Sequence, residues 1–101
     1  MTQAPAFGLS PSVISSLKST ILKNGKVEKI IIYGSRAKGT HRPGSDIDLT
    51  IVGPTLSTTD LLKIENEIDD LMIPYKVDLS LLHQIENPDL VDHITRVGVD
   101  F

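Results

Sequence analysis

The sequence, 101 residues long, predicts an α/β (α+β) fold: a small mixed β-sheet of about three strands flanked by helices, in the order α-β-α-β-α-β-α. Three observations predict it. Short apolar runs rich in β-branched residues occupy 27–33, 46–52 and 75–82, each set off by Gly or Pro. Apolar residues in the intervening segments recur at helical spacing. Ser10-Pro11, Ser57 to Asp60 and Asn87-Pro88 then supply helix-start signals at the appropriate places.

Residues 1–9 show no periodicity and contain Pro5 and Gly8, so they read as a loosely ordered lead-in, with 10–101 as a single domain. Ser10 is an N-cap with proline at the first helical position. Val13, Ile14, Leu17, Ile21 and Leu22 fall on one stripe, and Asn24-Gly25 stops the helix, which spans about 11–23. The run 27–33 is apolar enough at Ile30 to Ile32 to be covered on both faces of a sheet. Ser35 to Lys38 has room for one helical turn before Gly39, and Pro43-Gly44 marks a turn.

The second strand, 46–52, is closed by Gly53-Pro54. Ser57 to Asp60 has capping-box spacing with Asp in place of Glu or Gln. It opens a helix whose Leu61, Ile64, Ile68, Leu71 and Met72 share a stripe as far as about Ile73, while Asp60, Glu65, Glu67, Asp69 and Asp70 read as its solvated face. Pro74 ends it. In 75–82 the alternation is strict, with Val77, Leu79 and Leu81 facing one way and Lys76, Asp78 and Ser80 the other. Asn87-Pro88 begins a last helix, with Leu90, Val91, Ile94 and Val97 inward and Gly98 as its cap; Val99 to Phe101 packs back as a short tail.

Composition narrows the function. The net charge of −3 gives no global basis for nucleic-acid binding. Cysteine is absent, so thiolate metal sites and disulfides are excluded. No signal-peptide pattern or membrane-length apolar stretch is present, so the chain reads as a cytoplasmic protein without a membrane partner.

The chemistry concentrates in residues 34–49. Asp46 and Asp48 stand at i and i+2 of a strand and therefore share a face. Two carboxylates roughly 5 to 6 Å apart repel by about 3 kcal/mol at an effective dielectric near 20. A core-building sequence has no reason to accept that cost, and a hard cation such as Mg2+ relieves it. Solvation at a strand start is the ordinary alternative. The residues upstream favour the cation, because Gly34-Ser35 forms a sharp exit from the first apolar run and Arg36, Lys38 and Arg42 add positive charge with no acid between them.

A helix joins the second and third strands, so a right-handed crossover makes them parallel and brings Asp78 to the end of the sheet that holds Asp46 and Asp48. Gly34-Ser35 reaches that end only if the first strand runs antiparallel to the second. Three carboxylates beside a phosphate-sized basic turn make a phosphoryl-transfer site. Asp46 and Asp48 hold metal there, and Asp78 either ligates metal or accepts the nucleophile's proton. His41 lies within the loop but reads mainly as solvated, His83 and His93 as structural or exposed, and Tyr33 as packed beside the turn.

These residues, Gly-Ser, ten residues, Asp-x-Asp and a later Asp in an apolar strand, resemble the minimal nucleotidyltransferases of the DNA polymerase β superfamily over roughly residues 10 to 101. The resemblance implies a polymerase-β-like fold and Mg2+-dependent transfer of a nucleoside monophosphate, usually AMP from ATP, with two ions. By it, Gly34 and Ser35 hold the terminal phosphates, Asp46 and Asp48 the metals, Asp78 is the third acidic residue, and Arg36 and Lys38 neutralise phosphate charge. No acceptor-binding half is visible. The resemblance extends to antitoxins whose partner is an all-helical HEPN-type protein, often an RNase toxin, which implies a hetero-oligomer and a partner tyrosine as acceptor. Contact-only neutralisation and transfer to a small molecule, with a separate substrate-binding chain, are the alternatives.

Overall fold

The computed structural model describes residues 6–101. Helix α1 (Pro11–Leu22) starts where Ser10 accepts a hydrogen bond from the Val13 backbone N–H. Strand β1 (Lys29–Tyr33) runs directly into the short helix α2 (Gly34–Lys38), and β2 (Ile47–Val52) follows a loop. Helix α3 (Thr58–Asp69) opens with the capping box between Ser57 and Asp60. Strand β3 (Val77–Leu81) passes through a 3-10 turn, Leu82–Gln84, to α4 (Pro88–Val97) and β4 (Val99–Asp100).

The sheet order is β3-β2-β1-β4, with β2 and β3 parallel and both β1 pairings antiparallel. The mixed sheet and both expected strand directions are therefore present. The two faces differ in composition because side chains alternate along each strand. Ile30, Ile51 and Leu81 form one row and Ile32, Leu49 and Leu79 the next, all on the face that joins Leu17, Ile21, Ile64 and Ile68 in the core. Each fully buried Leu or Ile there contributes about 1.5 to 3 kcal/mol. The other face carries Ile31, Tyr33, Asp48, Thr50, Asp78 and Ser80. Helix α4 lies over its β1 side, where its capping Gly98 leaves no room for a Cβ, which would stand 2.7 Å from Ile31 Cγ2.

Several expectations need correction, among them the start of β1, which lies at Lys29 rather than Val27. The N-terminal residues within the described range are not loose: Leu9 is completely buried, and Phe7 sets its ring 6.0 Å from that of Phe101. Residues 1–5 lie outside the described residues. Helix α3 stops at Asp69 rather than near Ile73, since Met72 takes φ 56° and is 87% exposed. Two aspartates at the negative end of the helix dipole and the extended geometry required before Pro74 both favour that earlier stop. The sheet has four strands, not about three, because Val99 and Asp100 pair with Ile32 and Ile31 instead of forming an unpaired tail. Finally, β3 begins at Val77 rather than at Tyr75, whose ring packs under Arg36.

Candidate active site

Register assembles the site. Tyr33 on β1 lies opposite Asp48 on β2, and Asp48 opposite Asp78 on β3, so the three form one row across the end of the sheet. Neighbouring strands are about 4.8 Å apart, which keeps the two carboxylates within strong electrostatic reach. Asp46 lies just ahead of β2, exposed, on the segment that docks to β3 through Ile47 N–H to Lys76 O. Behind this row, Ile31, Thr50 and Ser80 form a second one, in which Ser80 Oγ donates to Thr50 Oγ1 at 2.9 Å.

The electrostatics record the crowding. Desolvation raises the Asp48 carboxyl above its usual 3.8, and the charges of Asp78 and Asp46 push it further up, opposed by His93 and Arg36. Burial likewise raises the Tyr33 phenol; the Ser80 hydroxyl works against the rise, and the charges of Asp48 and Asp78 reinforce it. Two different groups thus sense the same negative field.

Gly34 explains how the turn meets this row. It has φ 75°, a conformation other L-residues adopt at a cost, and a Cβ there would lie 2.4 Å from Asp48 Oδ2. Ser35 follows, half-buried, with its carbonyl accepting from Thr40 N–H at 2.9 Å. Lys38 stands exposed at the last position of α2.

Arg36 does not stand free as the basic turn suggests. It is 3% exposed, donates from Nε and Nη2 to Ser45 O and from Nη1 to Phe7 O, and lies 5.0 Å over the Tyr75 ring. Its fork is committed to protein carbonyls. His41 packs against Gly8, with Nδ1 buried and without a partner, and His83 Nε2 meets Leu56 O at 3.1 Å, a structural contact.

Sequence reasoning missed His93. Its ring meets Tyr33 edge-on at 6.1 Å, and its positive contribution reaches Asp48. The signal was available: position 93 shares the helical stripe of Leu90, Ile94 and Val97, which faces the sheet.

Among the described residues, no three His, Cys, Asp or Glu side chains close on one point as a ready-made metal set. The donors at this end of the sheet are nonetheless carboxylate oxygens, hard ligands that repel one another. That chemistry fits a divalent cation of the Mg2+ type, which takes one or two carboxylates and completes its shell with water and phosphate oxygen. The row is open rather than enclosed. A hollow of about 510 Å³ runs instead along α1 and is lined by Ala6, Pro11, Ile14, Lys18 and Leu22, with none of the acidic row.

Residues 15–100 match the family profile described as polymerase beta, nucleotidyltransferase. The chain belongs to the polymerase β nucleotidyltransferase family. Two candidate protein adenylyltransferases of Methanocaldococcus jannaschii, MJ0126 and MJ1217, are each 34% identical to this nucleotidyltransferase over 77 residues, covering 75% of it and 78% of the relative. The fold is similar to that of a chain in a toxin-antitoxin complex with AMP-PNP (TM-score 0.70, 22% identity, 85% of this chain and 69% of that one). It is also similar to a chain in a complex of a tri-AMPylated Shewanella oneidensis HEPN toxin with its MNT antitoxin (TM-score 0.59, 19% identity, 88% and 65%). Among the described residues of the nucleotidyltransferase, no helix is long and apolar enough to cross a membrane.

Proposed function

We propose that this nucleotidyltransferase transfers AMP from ATP, with Mg2+, to a tyrosine of an HEPN-type partner chain, and thereby acts as the antitoxin of a hetero-oligomeric pair. The observation that carries the reading is the alignment of Asp48 with Asp78 across the β2–β3 register, with Asp46 close enough to raise the Asp48 carboxyl further. The adenylyltransferase names of the Methanocaldococcus relatives support a protein acceptor. The AMP-PNP and AMPylated HEPN complexes of the fold neighbours support the nucleotide and the partner. ATP and Mg2+ are abundant in cytoplasm, where we place the reaction.

Each residue then has a task. Gly34 and Ser35 receive the terminal phosphates at the exit of β1, where Gly34 has no side chain to obstruct the approach beside Asp48. Asp46 and Asp48 hold Mg2+, two ions in this reading, and Asp78 contributes to the same set. Bound there, the cation neutralises the triphosphate and stabilises charge on the transferring group. In the alternative assignment Asp78, one strand further out and exposed, accepts the proton of the acceptor hydroxyl instead of ligating metal. The acceptor oxygen bonds to the α-phosphorus while the bond to the departing pyrophosphate breaks. Lys38 adds positive charge on the open side. Arg36 is assigned no phosphate contact, because its donors are engaged elsewhere.

The test is incubation with ATP labelled on the α-phosphate, Mg2+ and the product of the neighbouring gene, followed by peptide mass spectrometry. Label on a partner tyrosine, lost in Asp46→Asn and Asp48→Asn, supports the reading. Partner binding without label on any protein or small molecule would leave contact-only neutralisation, and label on a small molecule alone would move the acceptor out of the protein class.

A further inference from the structure

Arg36 is the only buried charged residue among the described residues. Its position relates it to all parts of the site. Nε and Nη2 converge on Ser45 O at 3.1 and 2.8 Å, and Nη1 reaches Phe7 O at 2.8 Å. The guanidinium carbon lies over the Tyr75 ring, 5.0 Å from its centroid. Ser45 immediately precedes Asp46; Tyr75 lies three residues before Asp78; Arg36 itself is two residues after Gly34.

Among the described residues, the loop that carries Asp46 is held to the body of the protein chiefly by this fork and by the packing of the His41 ring against Gly8, five residues before Asp46. Its other hydrogen bonds near Ser45 are internal, from Ser45 N–H to Arg42 O and from Arg42 N–H to Ser45 Oγ. These two hydrogen bonds shape the turn at Pro43-Gly44 and do not reach beyond it. The first tie on the far side is Ile47 N–H to Lys76 O, at the start of β2. Asp46 therefore lies between two anchors, one of which is the Arg36 fork.

We propose that Arg36 is a positioning residue: it sets Asp46 against Asp48 and Asp78 by clamping the Ser45 carbonyl, and does not contact the nucleotide. Planarity is essential to that task. A lysine keeps the charge but is a single point donor, unable to hold Ser45 O through two N–H groups while meeting Phe7 O with a third. The kinetic part of the inference rests on the nucleotidyl-transfer reading; the structural part does not.

The experiment compares wild type, Arg36→Lys and Tyr75→Leu, the last removing the ring and leaving the hydrogen bonds, at a temperature where circular dichroism finds all three folded. Amide hydrogen exchange is read first, on the protein alone. In Arg36→Lys, exchange over residues 44–48 accelerates about tenfold or more, the scale set by lost charge-assisted hydrogen bonds, while α3 is unchanged. Tyr75→Leu moves the same amides less. AMP transfer is read second: kcat falls by about a hundredfold in Arg36→Lys, as displacement by about 1 Å predicts, while KM for ATP stays within about twofold. Unchanged exchange at 44–48, or a raised KM with kcat preserved, would overturn the proposal in favour of a structural or phosphate-binding arginine. Absence of transfer in wild type would count against the reaction alone, since exchange decides the clamp independently.

Discussion

Asp48 Oδ2 occupies the space a side chain on Gly34 would need: a Cβ built there lies 2.4 Å from that oxygen. The exit of β1 and the central carboxylate of the site are thus fitted to one another, and a side chain at position 34 would have to displace the Asp48 carboxylate.

Gly34→Ala and Gly39→Ala separate fit from backbone strain. Both glycines have positive φ, 75° and 77°, but a Cβ on Gly39 meets nothing within 4 Å. Each substitution costs about 1 to 2 kcal/mol for the left-handed conformation, measurable by denaturant unfolding. Gly34→Ala additionally displaces Asp48 and lowers AMP transfer by about a hundredfold, whereas Gly39→Ala retains it. Equal activities in the two variants would contradict the fit.

Asp48 makes stability depend on pH in a definite direction. Its folded-state pKa is raised, first by burial and then by Asp78 and Asp46, so ionisation costs more in the folded chain than in the unfolded one. The stabilising contribution is full below the usual 3.8 and is lost as pH rises through the raised value. In metal-free buffer at neutral pH, Asp48→Asn therefore raises Tm. Since the carboxylate is partly exposed and screened, a discounted gain of about 0.5 kcal/mol, or about 2 to 4 °C, is expected. The gain disappears in acid below the usual carboxylate range, and Mg2+ with a non-hydrolysable ATP analogue stabilises wild type more than the variant.

The fold was largely legible because its signals are periodic. Ser10-Pro11, Ser57 to Asp60 and Asn87-Pro88 each cap the helix they announce. The i, i+2 pattern of Asp46 and Asp48, combined with the crossover argument, put Asp78 at the same end of the sheet, where the parallel register aligns it with Asp48. What escaped the sequence depends on contacts between distant segments. A two-residue strand such as β4 is too short to show a period. The buried fork of Arg36 depends on carbonyls nine and twenty-nine residues away, and no local pattern distinguishes it from the exposed Lys38.

Leu9 tests the correction at the N-terminus. It is completely buried in the main core although its surroundings show no helical or strand period. Leu9→Ala costs about 2 to 5 kcal/mol in chemical denaturation. A cost below about 0.5 kcal/mol, the level of ordinary surface substitutions, would return this segment to a loose lead-in.

The α3 cap gives a second pH signature, of opposite sign. Asp60 is held below its usual 3.8, chiefly by the Ser57 backbone N–H, with the Ser57 hydroxyl and Lys26 assisting. That contribution is present above the usual value and lost as pH falls through the depressed one. Asp60→Asn should remove this part of the acid limb of the stability profile. Ser57→Ala should cost about 1 kcal/mol near neutral pH and leave transfer unchanged, because the cap lies outside the acidic row.

The decisive measurement of the acidic row is release of pyrophosphate from ATP, followed with the partner chain present in wild type, Asp46→Asn, Asp48→Asn and Asp78→Asn. Wild type is expected to release pyrophosphate in step with modification of the partner, and Asp48→Asn, whose carboxylate meets both the Gly34 turn and the Asp78 strand, to lose at least about a thousandfold. Release undiminished in Asp48→Asn would contradict that expectation, and the alignment of carboxylates across the sheet would then have no part in the reaction.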